Sequence, residues 1–156
     1  MMTMGRSCSD FLSAPIPGVF ASQVEQHPDA PAVSWAGGTI SYAELDTRSR
    51  AVAQARRGAG LASNEPVALY MESSVEQVIA ALGVWMAGGA YLPIDPAYPA
   101  ERATFILSDS GAPVMICRRR HATALGAGPW RMICIDRSWY RVHFSPMKDR
   151  FGRSVG

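Results

Sequence analysis

Residues 85–99 read WMAGGAYLPIDPAYP, from Trp85 to Pro99. This is the end of a helix, a two-glycine turn, a short apolar strand and a proline-bounded turn into another helix. Gly88 and Gly89 accept positive φ, so they can end a helix and reverse the chain tightly. Ala90 to Ile94 is apolar without alternation, which predicts a strand covered on both faces. Pro93 has no amide hydrogen and belongs at the end of a strand or on a sheet edge. Pro96 donates nothing to a ladder, and Pro99 suits the first position of a helix. Helix, glycine turn, buried strand and helix make half of a parallel α/β layer.

The other half lies on either side. Residues 66–71 predict a strand through Val67, Ala68, Leu69 and Tyr70. Ser73-Ser74-Val75-Glu76 has the spacing of a capping box. Val75, Val78, Ile79, Leu82, Trp85 and Met86 then fall on one helical face. Residues 99–108 predict a helix with Ala103, Ile106 and Leu107 inward, stopped by Gly111 and Pro113. Residues 114–117 are a further buried strand. Strand, helix, strand, helix, strand over residues 66–117 implies right-handed crossovers and a parallel sheet.

Upstream, residues 17–27 carry Val19, Phe20 and Val24 at helical spacing, and Pro28 stops them. Residues 32–35 and 39–42 predict a hairpin turning at Gly37-Gly38. Ser41-Tyr42-Ala43-Glu44 is a second capping box. Its helix should run to about Arg57, with Leu45, Val52 and Ala53 inward and Arg48, Arg50, Arg56 and Arg57 in water. Gly58 and Gly60 end it. Downstream the signal fades: residues 118–125 suggest a short helix and residues 130–135 a strand. Beyond residue 137 no periodicity is visible, although Trp139, Tyr140, Phe144 and Phe151 occur there. Residues 1–15 are expected to be a loose leader and 137–156 a divergent, poorly ordered basic tail.

Composition agrees with one globular domain. Of 156 residues, 48% are hydrophobic and 18% charged, and the net charge is +2. That balance conceals a reversal. Residues 1–117 hold six Arg and no Lys against eleven acids, a charge of −5, whereas residues 118–156 hold nine Lys or Arg against two acids, a charge of +7. A tail foreign to the rest of the chain, as a frameshift or premature stop would produce, is the expectation. Cys8, Cys117 and Cys134 are odd in number and form no C-x-x-C, which indicates neither a disulfide framework nor a zinc site. Buried, inert thiols and a cytoplasmic location are expected. Residues 1–17 lack the apolar core of a signal peptide. Residues 78–94 carry no charge, but Gly83, Gly88, Gly89 and Pro93 divide them into helix and strand, against a membrane span.

The residues quoted carry a resemblance. Ile40-Ser41-Tyr42-Ala43-Glu44-Leu45 resembles the first core motif of the adenylation domains of nonribosomal peptide synthetases, a Leu-Thr/Ser-Tyr-x-Glu-Leu pattern. Residues 86–95, MAGGAYLPID, resemble the second, Lys-Ala-Gly-x-Ala-Tyr-Val-Pro-Ile-Asp, and residues 96–102 continue it. Residues 27–33, HPDAPAV, also look like family sequence. Met86 stands where Lys is usual. The resemblance covers about residues 19–136 and implies a partial AMP-dependent synthetase/ligase (adenylation) domain at 16–136. The implied fold is the partial N-terminal subdomain of the adenylate-forming enzymes, a parallel βαβ sheet layer with flanking helices.

Such enzymes activate an amino acid with MgATP to an acyl-adenylate and load it on a phosphopantetheine carrier. The chemistry needs a Ser/Thr/Gly-rich phosphate loop with a lysine, an aspartate for the ribose and a lysine on a C-terminal lid, because phosphoryl-centre transfer is mostly positioning and charge stabilisation. This chain has no Thr-Ser-Gly-x-Thr-Gly-x-Pro-Lys-Gly run, and its single lysine is Lys148. No catalytic, cofactor-binding or metal residue is assigned, and no cofactor is expected for the chain alone. ATP and Mg belong to the full-length family. The implied partners are the remainder of an adenylation domain or a carrier protein, with no nucleic acid and no membrane.

Isolated residues read the same way. Ala87-Gly88-Gly89-Ala90 follows a helix instead of preceding one and is a turn, not a phosphate loop. Asp95 is a turn acceptor at a strand end. Glu44 and Glu76 are capping glutamates. Glu101 is a helix-start acid, and Arg102 is solvated or paired. His27, His121 and His143 have no triad or ligand partners. Arg118-Arg119-Arg120-His121 is a wet basic loop, and Trp85, Tyr91 and Tyr98 anchor the layer packing. Three functions follow in order: an adenylation-domain piece inactive alone, a non-catalytic module docking on a complete adenylation protein, and a basic-tail nucleic-acid binder. A sheet piece of this kind should expose an unpaired edge and be marginally stable.

Overall fold

The computed structural model describes residues 15–126, 128–135 and 143–145. The leader, Cys8 and the tail lie outside the described residues, apart from Pro15 and the three-residue strand noted below.

Helix α1 (Ile16–Gln26) precedes a hairpin of β1 (Pro31–Trp35) and β2 (Gly38–Ser41). Trp35 pairs with Gly38, so the loop is Ala36-Gly37, one residue earlier than expected. Gly38, at φ 149°, is already in the return strand. Helix α2 (Tyr42–Gly58) starts at Ser41, whose hydroxyl accepts from the Glu44 amide at 3.2 Å. The Glu44 carboxylate does not reach back to close the box but pairs with Arg48 one turn on. Thereafter come β3 (Pro66–Tyr70), α3 (Val75–Met86), β4 (Ala90–Ile94), α4 (Ala100–Ser110), β5 (Val114–Arg118), a 3-10 turn (Arg119–His121), β6 (Arg131–Ile135) and β7 (His143–Ser145). Only the 3-10 turn and following turns occupy the helix expected over 118–125. The N-cap of α3 is Ser74, which accepts from the Gln77 amide at 3.3 Å. Glu76 therefore falls one position short of the capping-box place, and its carboxylate goes elsewhere. Pro99 sits at the N-cap of α4, just outside its first turn.

The sheet runs β4-β3-β5-β6-β7. Strands β4, β3, β5 and β6 are mutually parallel, and β7 closes the far side antiparallel to β6. Strand β7 lies in the region where no periodicity was visible; three residues are too few to show one. Side chains alternate between two cores, as the pleat requires. Val67, Leu69, Val114, Ile116, Ile133 and Ile135 pack toward α2 and α3. Ala68, Tyr70, Met115, Cys117 and Cys134 pack toward Ala103 and Leu107 of α4. The result is a helix–sheet–helix sandwich, the α/β layer expected.

Strand β4 corrects one expectation. It is the sheet's margin among the described residues, and its residues are half-buried or exposed until Ile94. Pro93, which has no donor for an outer neighbour, is compatible with that place. The uncharged stretch 78–94 divides into α3, a turn and β4. Among the described residues no helix is long and apolar enough to cross a membrane.

Helices α2 and α3 meet at Gly83. A Cβ there would stand 2.6 Å from the Ser49 carbonyl oxygen and 2.6 Å from Val52 Cβ. Backbone cannot yield as a side chain can, so Gly83→Ala should destabilise by about 1–3 kcal/mol through overpacking.

The second constraint corrects the reading of Arg56 as a wet residue, for it is 1% exposed. Its Nη1 donates to the Ala87 carbonyl at 2.9 Å, and its Nη2 to the Ala62 carbonyl at 2.7 Å and the Glu65 carbonyl at 3.4 Å. The guanidinium lies beneath the double-glycine turn: a Cβ on Gly89 would stand 2.6 Å from its Nε. Gly88, at φ 72°, supplies the reversal. Arg56→Ala removes all three of these bonds, and urea denaturation should show a loss of about 3 kcal/mol. Arg50→Ala, which removes a 64% exposed arginine from its pair with the largely buried Asp46, should cost less than about 1 kcal/mol. Equal effects would refute the role given to Arg56.

Candidate functional site

In an open parallel sheet ligands gather outside the carboxyl ends of the strands, where the strand order reverses. Here β4 lies on one side of β3 and β5 on the other, so the reversal falls between β3 and β5. Their carboxyl ends hold a charged cluster. Glu72 follows β3, Glu76 stands in the first turn of α3, Arg118 ends β5, and Arg120 and His121 form the 3-10 turn.

Arg118 Nη1 donates to Glu72 Oε1 at 2.8 Å, and its Nη2 donates to Glu76 Oε1 at 3.3 Å. Arg120 also pairs with Glu72. His121 Nε2 lies 2.9 Å from Glu72 Oε2 and 3.1 Å from Arg120 Nε. A neutral ring protonated at Nε2 donates to Glu72, whereas the other tautomer accepts from Arg120. Tyr70, beneath, meets the imidazole edge-on at 5.8 Å. Burial, followed by Cys117 and Asp95, holds the Tyr70 phenol above its ordinary range. The His121 imidazole is held below its ordinary 6.5 by burial and by the positive charges of Arg120 and Arg118.

The wet basic loop expected at 118–121 is thus corrected. Arg118 and Arg120 are bound to acids more than forty residues upstream, a pairing no local pattern announces. Glu76 is one of those acids, not a cap. The acids and bases face one another, and the cluster fastens the start of α3 to the end of β5. Asp95 keeps its expected role: its Oδ1 accepts from the Ala97 amide at 2.8 Å. Tyr98 does not anchor the layers. It is 38% exposed, and Arg102 stacks on it at 4.6 Å.

An apolar concavity lies elsewhere. A cavity of about 600 Å³ opens between α1, the hairpin, α2, α3 and β4. Phe20 and Tyr42 stand on its wall with ring centroids 5.9 Å apart, as do Trp85 and Tyr91 at 5.1 Å. Its lining is mostly apolar, and its polar side-chain groups are those of Gln77, Tyr42, Tyr91 and Trp85. Trp85 and Tyr91 therefore do hold the layers together, as expected.

The double-glycine turn does not fit a phosphate group. The space facing Gly89, where a phosphate loop would receive its anion, is filled by the guanidinium of Arg56. No group of three His, Cys, Asp or Glu among the described residues could hold a metal.

The family model for AMP-binding enzymes matches residues 20–141. The chain belongs to that family. Bacitracin synthase 1 of Bacillus licheniformis is 43% identical over 133 residues, which are 85% of this chain and 2% of that protein. Among solved structures, the nonribosomal peptide synthetase FmoA3 in its alpha-methyl-L-serine-AMP bound form superposes with a TM-score of 0.77 at 28% identity, over 88% of this chain and 16% of that one. NpsA-ThdA of Klebsiella oxytoca, an artificially fused adenylation-PCP di-domain, gives a TM-score of 0.70 at 25% identity, over 77% of this chain and 22% of that one. The resemblance to nonribosomal peptide synthetase adenylation domains holds for sequence and fold, and the chain spans a small share of the family members it matches.

The depressed His121 gives a pH dependence. A histidine whose folded pKa is lowered adds stability that is present above its unfolded pKa and is lost as pH falls toward the folded one. Urea midpoints of the native chain should fall from about pH 6.5 downward. His121→Asn should flatten that part of the profile. Identical slopes in the two proteins would contradict the assignment.

Proposed function

We propose that this chain supplies scaffold of an adenylation domain that activates an amino acid with ATP for loading on a phosphopantetheine carrier, in the cytoplasm, and that it is inactive alone. The observation that carries the reading is the contrast between its two motif regions and its chemistry. Residues 40–45 and 86–95 build the capped start of α2 and the Arg56-filled turn into β4. The sequence holds no phosphate-loop run, and Lys148 is its single lysine. In-line transfer at a phosphoryl centre requires cations and amides aimed at the phosphates. At the carboxyl ends of β3 and β5 the cations Arg118 and Arg120 are engaged with Glu72 and Glu76. Binding of ATP, magnesium and the amino acid, and docking of the carrier, then depend on residues supplied by the remainder of an adenylation domain. The fused carrier of the Klebsiella di-domain is in keeping with a carrier as partner.

Amino-acid-dependent pyrophosphate exchange tests this directly. The chain alone, with each common amino acid and MgATP, should give no exchange above background. Exchange with any amino acid would overturn the reading. As a positive arm, residues 20–135 grafted in place of the matching segment of an intact adenylation domain should leave exchange within about tenfold of the parent, as expected where no group contacting the reacting atoms is changed.

A further inference from the structure

Cys117 and Cys134 stand directly opposite each other on β5 and β6. Both are free thiols, with Sγ atoms 3.8 Å apart. They point to the α4 side, into the cluster that holds Leu107, Leu125 and Trp130. Cys117 is fully enclosed, while Cys134 keeps 8% of its surface open. Neither belongs to the charged cluster, and the proposed activity uses neither.

We propose that Cys117 and Cys134 are a redox-active dithiol, a modification site for a small two-electron oxidant of the hydroperoxide class that closes to an intrachain disulfide between β5 and β6. The backbone is already placed for it. Disulfides span Cα separations of about 4.4–6.8 Å, and neighbouring strands lie about 4.7–4.9 Å apart. No change of register is required. Paired side chains on parallel strands keep their Cβ atoms near that strand spacing, wider than the roughly 3.5–4.5 Å of a relaxed disulfide. The bond is therefore formed under tension and is readily reduced, the property of a labile disulfide and not of a structural one.

The two thiols have different parts. Cys134 is lowered to about 7, first by the hydrogen bond from Cys117 and also by the charge of Arg119, with burial opposing. Cys117 is pushed up by the same hydrogen bond and by burial. Cys134 thus carries the thiolate and Cys117 keeps its proton. The Cys134 thiolate attacks one peroxide oxygen and breaks the O–O bond. The departing hydroxide takes up a proton as water and leaves a sulfenic acid. Cys117 sulfur then attacks the Cys134 sulfur and the S–S bond forms. The sulfenic hydroxyl leaves with the Cys117 proton as a second water. Two thiols have lost two electrons, and one peroxide has gained them.

The test uses the full chain carrying Cys8→Ser, which removes the third thiol. The native protein is treated with hydrogen peroxide, freed of the oxidant, unfolded in the presence of an alkylating agent and digested with trypsin. Mass spectrometry should show residues 103–118 joined to residues 132–137 and two hydrogens lost. A dithiol reductant should restore both thiols. In a Cys117→Ser background a sulfenic acid should be trapped on Cys134. In Cys134→Ser, oxidation of Cys117 should slow by at least about tenfold. Alkylation of both cysteines after treatment, or sulfinic and sulfonic products without the joined peptides, would overturn the proposal. Should a serine variant not fold, the joined peptides in the Cys8→Ser chain decide the matter alone.

Discussion

The guanidinium of Arg56 is the contact on which the first half of the chain depends. Removing a permanent charge from water costs several kcal/mol, and only well-placed acceptors offset that. Here the acceptors are backbone carbonyls from two separate places: Ala62 and Glu65 in the loop before β3, and Ala87 in the turn before β4. One side chain thus ties the two loops to each other. It also sets where β3 and β4 begin, and so the alignment of Pro66 with Ala90 at the head of the ladder. The pair of glycines in the second motif is the other side of this arrangement. Gly88 turns the chain, and Gly89 leaves room for the guanidinium. Two further contacts tie the same loop: the Asn64 amide donates to the Gly88 carbonyl at 2.9 Å, and Arg131 donates to the Ala59 carbonyl at 3.0 Å.

At the opposite ends of the strands the balance is reversed. Charged groups gather where an open sheet would receive a ligand, yet they are spent on one another. Glu72 alone meets Arg118, Arg120 and His121. Ion pairs fasten these strand ends to the start of α3, and the apolar concavity is walled mainly by rings and aliphatic carbons. This division fits a scaffold that positions other parts of an enzyme.

Much of the fold was legible in the sequence because its signals are local. Apolar runs, serine caps, and the proline and glycine punctuation around residues 88–99 each act within a few residues. Two kinds of feature were not. The hairpin loop was misplaced by one residue because Gly37 and Gly38 are equally permissive in sequence, and only cross-strand pairing separates them. Arg56 was misread because arginine is ordinarily at the surface. A signal was present all the same: Leu45, Ser49, Val52 and Arg56 recur at spacings of four, three and four, the stripe that faces the core. The Glu72–Arg118 cluster had no local trace, since its members meet only after β3 and β5 become neighbours. Of the thiols, burial was expected, but their juxtaposition depended on the register of β5 with β6.

The order of the strands has a consequence for synthesis. Strand β3 is the third to leave the ribosome but lies between two later ones, β4 and β5. Until residue 118 has emerged, Val67, Leu69 and their neighbours have a bare flank, and the acids at 72 and 76 have no counter-ions from Arg118. A nascent chain stalled before that point is an adhesive, open ribbon of the kind that chaperones shield. Translation speed across residues 95–118 therefore governs how long the growing polypeptide stays vulnerable to association with its neighbours.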